Sequence, residues 1–513
     1  MSHPTGNGLQ EREVKFRLPD DRDPAHVRQV IEAAGFRLEP TGTIEHVDRY
    51  LDTDDWDLYR AGLSLRLRAQ GSRLRLEAKS IASTSSEILT RLEWAQDAPH
   101  DDPPWETLDP GPVAGLLQPL QGLRVLERLQ VRASVTNDRE CFRWMRGDSV
   151  IGLLTVDHVN APPAVFREVE LELENGDEGA LGLVQRAVEE QLGLMHEERT
   201  KLTAALEAAG VRLPERDERP FALHPADRLL DVAHKIFGRH LGRLLWNEPG
   251  SRLGVDTERV HDMRVAARRL RTALEVVASG YPDSVREEFE TDLRWVGRRL
   301  GRIRDLDVAL EHVAELEAQA APFERPALQV FRQSLEVRLA RRRLRLVERL
   351  DSERFGVFLV KARTWVEAGP PDAASVPDAV MPAYAAAPKI IGRWVDGMRE
   401  AYETALRTME PEDLHMLRIA AKRARYAYEY FAELEGPLAT RRAKHIATLQ
   451  DFLGEQRDTI QVLRRMRRYA RTVPHEDHEL VLGTGSVLGH LERSSRVKRS
   501  DLRDHWERAM AEV

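Results

Sequence analysis

Glu11-Arg12-Glu13-Val14-Lys15-Phe16-Arg17-Leu18 alternates charged and apolar residues from Glu13 onward. In an extended chain successive side chains point to opposite faces, so Glu11, Glu13 and Lys15 share one face over about 13 Å. Val14, Phe16 and Leu18 share the other. The same period of two returns, wholly or in part, at residues 63–68, 73–79, 89–94, 131–135, 150–157 and 165–174. The polar face of these segments is almost entirely Glu, Arg and Lys, whereas a strand facing ordinary solvent mixes in Thr, Ser and Gln. One such strand on its own is usually a solvated face. Many of them, carrying both signs of charge, predict a closed antiparallel barrel with a charged lumen. Helices are expected beside the strands at Pro24–Ala34 and Glu178–Leu192.

Two neighbouring carboxylates inside a barrel repel unless a cation joins them. Glu11 and Glu13 form one such set, and Glu168, Glu170 and Glu172 repeat it near the barrel's end. Oxygen ligands without Cys or paired His suit Mg²⁺ or Mn²⁺ rather than zinc. Arg66, Arg68, Lys79, Arg91 and Arg139 supply the opposite sign. Acids for the metal and bases for the phosphates fit a metal–phosphate complex.

Beyond a Pro- and Gly-punctuated stretch at 207–225 the texture changes to long helical periods, interrupted by an Ala/Pro-rich run at 369–388. The pieces on either side of that run are alike. His261-Asp-Met-Arg-Val-Ala-Ala-Arg-Arg-Leu-Arg271 aligns with His415-Met-Leu-Arg-Ile-Ala-Ala-Lys-Arg-Ala-Arg425, and Leu300-Gly-Arg-Ile-Arg304-Asp305 with Leu453-Gly-Glu-Gln-Arg457-Asp458. The repeat predicts two similar helical bundles with pseudo-twofold symmetry. At about 100° per residue, His261, Arg264, Arg268 and Arg271 fall within an arc of about 80°, opposite Met263, Ala267 and Leu270. His415, Arg418, Lys422 and Arg425 do the same in the second copy. Like charges at this spacing repel, so a doubled basic stripe points to an anion or an acidic partner.

The front half resembles the CYTH domain, the triphosphate tunnel metalloenzyme family, over residues 9–207. The resemblance rests on Glu-x-Glu-x-Lys, on Tyr50-Leu-Asp-Thr53 through Arg68, on Asp157, on the Glu168/Glu170/Glu172 strand and on Thr200-Lys201. It implies an eight-stranded antiparallel tunnel that binds triphosphate with a divalent metal. By matching position, Glu11, Glu13, Glu170 and Glu172, with Glu168 beside them, are implied metal ligands. Lys15, Arg66, Arg68, Lys79, Arg91, Arg139 and Lys201 are implied phosphate contacts. One position departs from the family's Leu-Lys-x-Lys: here it reads Leu76-Glu77-Ala78-Lys79. Glu77 then binds metal, pairs with Arg75 or Lys79, or marks weakened catalysis.

The rear half, residues 222–513 with repeat halves at about 222–367 and 389–513, is similar to the CHAD domain, and residues 208–221 read as the linker. That resemblance implies two four-helix bundles around a basic cavity that binds inorganic polyphosphate. His261, Arg264, Arg268, Arg269, Arg271 and Arg304 would line one half. His415, Arg418, Lys422, Arg423, Arg425 and Arg457 would line the other. The expected architecture is thus a multidomain α+β chain, barrel first and all-α domain second.

Composition narrows the partners. The 513 residues carry a net charge of −8, but residues 1–220 hold 27 basic against 40 acidic side chains and the remainder 50 against 45. A pI near 6.1 and stripes without interleaved aromatics argue against nucleic acid. No apolar run is long enough to span a membrane. The single cysteine, Cys141, fits a reducing compartment, and the polar start of the chain lacks the plan of a secretory signal. The expectation is a cytoplasmic protein, at polyphosphate granules where phosphate polymer accumulates, that hydrolyses inorganic triphosphate or a related triphosphate. The rival expectations are a non-catalytic polyphosphate-binding protein and an adenylyl cyclase of the CYTH kind.

Overall fold

The computed structural model describes residues 9–81, 89–174, 177–197, 199–370, 372, 377–495 and 497–511. Most of the polar N-terminal stretch and part of the 369–388 run lie outside these residues. The chain divides into two compact units: residues up to Glu215 with Pro249–Asp256, and Arg216–Glu248 with the residues from Thr257 onward.

The first unit is built on eight strands: β1 (Leu9–Leu18), β2 (Arg37–Asp52), β3 (Leu63–Gln70), β4 (Arg73–Ser80), β5 (Leu89–Asp97), β6 (Gln130–Arg146), β7 (Ser149–Ala161) and β8 (Ala164–Leu173). All neighbours are antiparallel, in the order β1-β5-β4-β3-β2-β6-β7-β8, and β8 returns to β1 to close the barrel. Closure leaves no edge strand exposed. Its helices are α1 (Pro24–Ala33), α2 (Asp57–Arg60), α3 (Pro112–Leu117), α4 (Glu178–Leu192) and α5 (Lys201–Ala208).

The alternating pattern works inside out. Val14, Phe16 and Leu18 of β1 are buried on the outer wall against Val27 and Ile31 of α1 and Leu181 and Val184 of α4. Leu63, Leu65 and Leu67 of β3 and Leu76 of β4 pack outward against Trp105 and α3. The charged positions between them therefore face inward. Sequence reading gave no strand at β2, and the reason is local. Its first half is largely exposed, and Pro40 and Gly42 (φ +129°) shift its register against β6. No apolar alternation survives there to be read.

The second unit holds α6 (Leu229–Leu253) as far as Glu248, α7 (Thr257–Val276), α8 (Asp283–Gln319), α9 (Arg325–Leu350) and α10 (Glu353–Glu367). These are followed by α11 (Ala383–Thr408), α12 (Pro411–Glu435), α13 (Pro437–Ala470), α14 (His478–Ser494) and α15 (Arg499–Met510). The longest helix comes third in each series, 37 residues for α8 and 34 for α13, so the repeat is structural as well as sequential. A fifth, shorter helix joins four longer ones in each half. The halves interlock, with α7 against α12, α8 against α13 and α9 against α14, around one continuous apolar core.

Candidate active site and anion groove

Register determines which charges meet inside the barrel. Lys15 on β1 faces Glu170 on β8, Glu13 faces Glu172, and Glu11 faces Arg91 on β5. On the far wall Arg66 faces Glu77, Asp48 faces Arg68 and Arg139 faces Asp157. The result is a cavity of about 220 Å³ lined, among the described residues, by seven cationic side chains, Lys15, Arg66, Arg68, Lys79, Arg91, Arg139 and Lys201. Six carboxylates share the wall: Glu11, Glu13, Glu77, Glu93, Glu170 and Glu172. Tyr50, Ser64, Thr155 and Thr200 add hydroxyls.

Most of these charges are paired. Arg139 grips Asp157 with two bonds of 2.6 and 2.7 Å and reaches Glu170 at 2.8 Å. Lys201 lies 2.6 Å from Glu170 and 2.8 Å from Asp157. Burial alone would strip Lys201 of its proton, but Asp157, Glu170 and Glu168 outweigh it and raise the pKa. Arg68 grips Asp48 at 2.7 and 2.8 Å; burial opposes that carboxylate, and Arg66 and Arg68 overcome it to hold its pKa well below the usual range. Lys15 donates to the Arg199 carbonyl, and burial lowers its pKa against the pull of Glu168 and Glu170.

Glu77 is tied to Arg66 at 2.7 Å and lies 3.4 Å from Arg68. Arg75 is at 4.0 Å, while Lys79 turns away to Glu11 at 2.7 Å. Of the partners expected from sequence, Lys79 is replaced by Arg66. The reason is pairing across strands: Arg66 on β3 stands directly opposite Glu77 on β4. Glu168 shares its strand with Glu170 and Glu172 but does not line the cavity. It is fully buried, 2.9 Å from Arg17 and 3.4 Å from Lys201. Sequence reading missed Asp48, which is fully buried beneath both Arg66 and Arg68. It also missed Glu93, 3.7 Å from Lys79; its place after Arg91 on a period-two strand was the available signal.

The donors fit a hard divalent cation at one end of the cavity. Glu172 is pushed up to about 8 by burial and by the charges of Glu11, Glu13 and Glu93, against which Lys79 is the opposing influence. A cation held by Glu11, Glu13 and Glu172 would relieve that repulsion. Among the described residues no group of three acidic, His or Cys side chains already forms a metal cage. Lys79 and Arg91 occupy Glu11 and Glu13, the latter pair 2.9 Å apart.

In the helical unit both basic stripes face one cavity of about 640 Å³. His261, Arg264, Arg268, Arg271 and Arg304 line it from the first half and His415, Arg418, Lys422 and Arg457 from the second. Arg264 lies 3.5 Å from Asp305, and Gly301 and Gly454 are where the Arg264 and Arg418 guanidiniums lie against α8 and α13. Lys422 is pushed down to about 7 by burial and by Arg268, Arg271 and Arg418. His261 and His415 are also lowered, by burial and then by Arg304 and Arg457 respectively.

Three expected lining residues are placed elsewhere. Arg269 pairs with Glu429 at 2.6 Å and lies over Tyr426; Arg425 takes the same Glu429 at 2.8 Å; Arg423 pairs with Glu275. They join or brace α7 and α12 instead of facing the groove. Arg269 and Arg423 sit roughly 100° round the helix from Arg268 and Lys422, which accounts for two of them.

An eight-stranded tunnel crowded with paired charges, followed by a duplicated helical unit around a basic groove, defines the class. The CYTH family profile matches residues 9–205 and the CHAD family profile residues 235–468, so the chain is a two-domain CYTH–CHAD protein. CYTH domains include triphosphatases and adenylyl cyclases, take triphosphates in the tunnel and generally depend on a divalent metal. Among solved structures, the CHAD domain of Ricinus communis is 24% identical over 57% of this chain and 96% of its own, with a TM-score of 0.47. A Hippeastrum protein, named as an adenylyl cyclase candidate with a dominant triphosphatase activity, is 20% identical over 40% of this chain and 98% of its own (TM-score 0.27). An adenylate cyclase candidate from Bacillus halodurans is 14% identical over 37% and 95% (TM-score 0.27). Among curated proteins none matches the chain. No described helix is long and apolar enough to cross a membrane.

Proposed function

We propose that the tunnel hydrolyses inorganic triphosphate or a related triphosphate with Mg²⁺ or Mn²⁺, and that the helical groove binds inorganic polyphosphate. The observation that supports the first half is the near balance of charge on the tunnel wall, seven cations against six carboxylates among the described residues. A receptor for bare phosphate chains needs a large positive excess. A wall of nearly equal and opposite charges suits a neutralised complex of phosphate with divalent cation, in which Glu11, Glu13 and Glu172 take the metal. A bound divalent cation supplies charge neutralisation at the phosphate oxygens. The chain's own part is positional: Lys15, Arg66, Arg68, Arg139 and Lys201 hold the phosphates in line for water, and their counter-ions keep each cation in place. No nucleophilic Ser–His or Cys–His pair is required.

In the groove the balance is the opposite. Asp305 and Asp458 are the carboxylates among its described lining residues, against many guanidiniums, so a polyanion fits without metal. The test is phosphate release from tripolyphosphate, with thiamine triphosphate, ATP and long-chain polyphosphate alongside, for wild type and for Glu11→Gln and Glu13→Gln. Both variants are expected to lose metal-dependent release by about 10²-fold or more while keeping polyphosphate binding. Undiminished turnover in both at matched metal concentration would remove the catalytic assignment. Cyclic AMP formation from ATP, without phosphate release from tripolyphosphate, would make the protein a cyclase.

A further inference from the structure

A second basic concavity, of about 210 Å³, lies outside the groove, between α8 and α9. Arg299 and Arg302 line it from α8, and Arg342, Arg345 and Arg349 from α9. Among the described residues none of these five guanidiniums pairs with a carboxylate, and the Nε of Arg299 is buried without a hydrogen-bond partner. On α9 the three arginines follow i, i+3, i+7, one face of the helix over roughly 10 Å. Five like charges in one hollow are mutually destabilising unless something anionic sits among them.

Two further facts give the hollow a direction. Arg302 lines both this concavity and the central groove, so the two basic surfaces are continuous. The arrangement also belongs to one half only. At the positions matching Arg299 and Arg302 the second copy has Phe452 and Glu455, and α14, the counterpart of α9, has a single arginine, Arg493. The nearby aromatic, Trp295, is buried and covered by the guanidiniums of Arg299 and Arg354, so it offers no face for stacking a base.

Building on the reading of the groove as a polyphosphate site, we propose that Arg299, Arg302, Arg342, Arg345 and Arg349 take up the end of a linear polyphosphate chain leaving the groove. Long polymer then leaves by the first half, and the pseudo-symmetric site binds it with one polarity of contact. Short chains are held in the groove alone.

The experiment compares linear octaphosphate with long-chain polyphosphate, titrated with chelator present so that nothing is hydrolysed. The proteins are full-length wild type, Arg342→Gln/Arg345→Gln/Arg349→Gln, and the charge-reversed pair Arg345→Glu/Arg349→Glu, each checked for fold by circular dichroism. Arg345 and Arg349 are exposed, so the charge-reversed pair removes no core packing; Arg342 is half-buried, and the triple variant is read only beside that pair. Long-chain affinity is expected to fall about tenfold or more in both variants, with the salt slope of the triple variant smaller by about 2, while octaphosphate affinity is unchanged. Unchanged long-chain affinity, or equal loss for both ligands, overturns the extension but leaves the groove reading intact. Absence of binding to either chain by wild type overturns both. Single-stranded DNA that displaces the polymer with the same dependence on these arginines would make the surface a nucleic-acid site and end the proposal.

Discussion

Glu77 stands where the resemblance leads one to expect a cation, and its neighbours show what that substitution does. Its carboxylate is held ionised by Arg66 and Arg68 against the cost of burial. Arg66, in turn, lies between Glu77 at 2.7 Å and Asp48 at 3.3 Å. Restoring the family's residue with Glu77→Lys would set two cations face to face. The expected outcome is a loss of stability of about 3–5 kcal/mol by urea unfolding, without a gain in triphosphatase activity. A stable, faster variant would show that Glu77 weakens catalysis. Lys422 makes a second residue-scale case. With its pKa near 7 it is about half charged in the free protein at neutral pH, and a bound polyanion favours the charged form. Binding therefore takes up protons, and affinity for polyphosphate rises as pH falls from about 8 to about 6, by roughly three- to tenfold. His261 and His415 gain charge in the same direction but below their ordinary range. Lys422→Met should flatten the upper part of that profile, read by isothermal titration in two buffers of different ionisation heat.

Elements, more than residues, explain what could be read from sequence. Seven strands announced themselves because their outer walls are apolar and most of their inner walls are charged; β2 did not, because half of it is exposed and broken by Pro40 and Gly42. The basic helices were legible for the same kind of reason: α7 and α12 bury Met263, Leu270, Leu417 and Ala421 on one side, which fixes where the stripe points. What periodicity could not give was the partner of each charge. Arg269, Arg423 and Arg425 look like stripe residues in a list, yet each meets a glutamate on α7 or α12. Asp48 and Asp157 gave no sign that they would carry buried guanidiniums. These placements separate two classes of variant. Arg264→Ala/Arg268→Ala/Arg271→Ala should weaken polyphosphate binding at least tenfold, and adding Arg418→Ala and Lys422→Ala should nearly abolish it, with the fold intact. Arg269→Ala/Arg423→Ala should instead lower the melting temperature and leave affinity within about threefold. Equal effects on binding from both sets would contradict the assignment of the groove wall.

At the scale of the whole chain, the tunnel and the groove compensate their charges in opposite ways. The tunnel embeds its cations among carboxylates, which on the proposed reading suits a metal–phosphate complex; the groove leaves its cations largely uncompensated, which on that reading suits a polyanion without metal. Salt should therefore weaken the groove steeply and the tunnel little, because the tunnel's charges are buried and paired. The most direct test of this division is phosphate release from tripolyphosphate by the full chain, measured with Mg²⁺ or Mn²⁺ and again with chelator, beside polyphosphate binding in both conditions. The expected result is release that vanishes with chelator and in Glu13→Gln, while polyphosphate binding persists throughout. Release that survives metal removal, or polyphosphate binding that is lost with it, would contradict the assignment of metal to the tunnel and polymer to the helices.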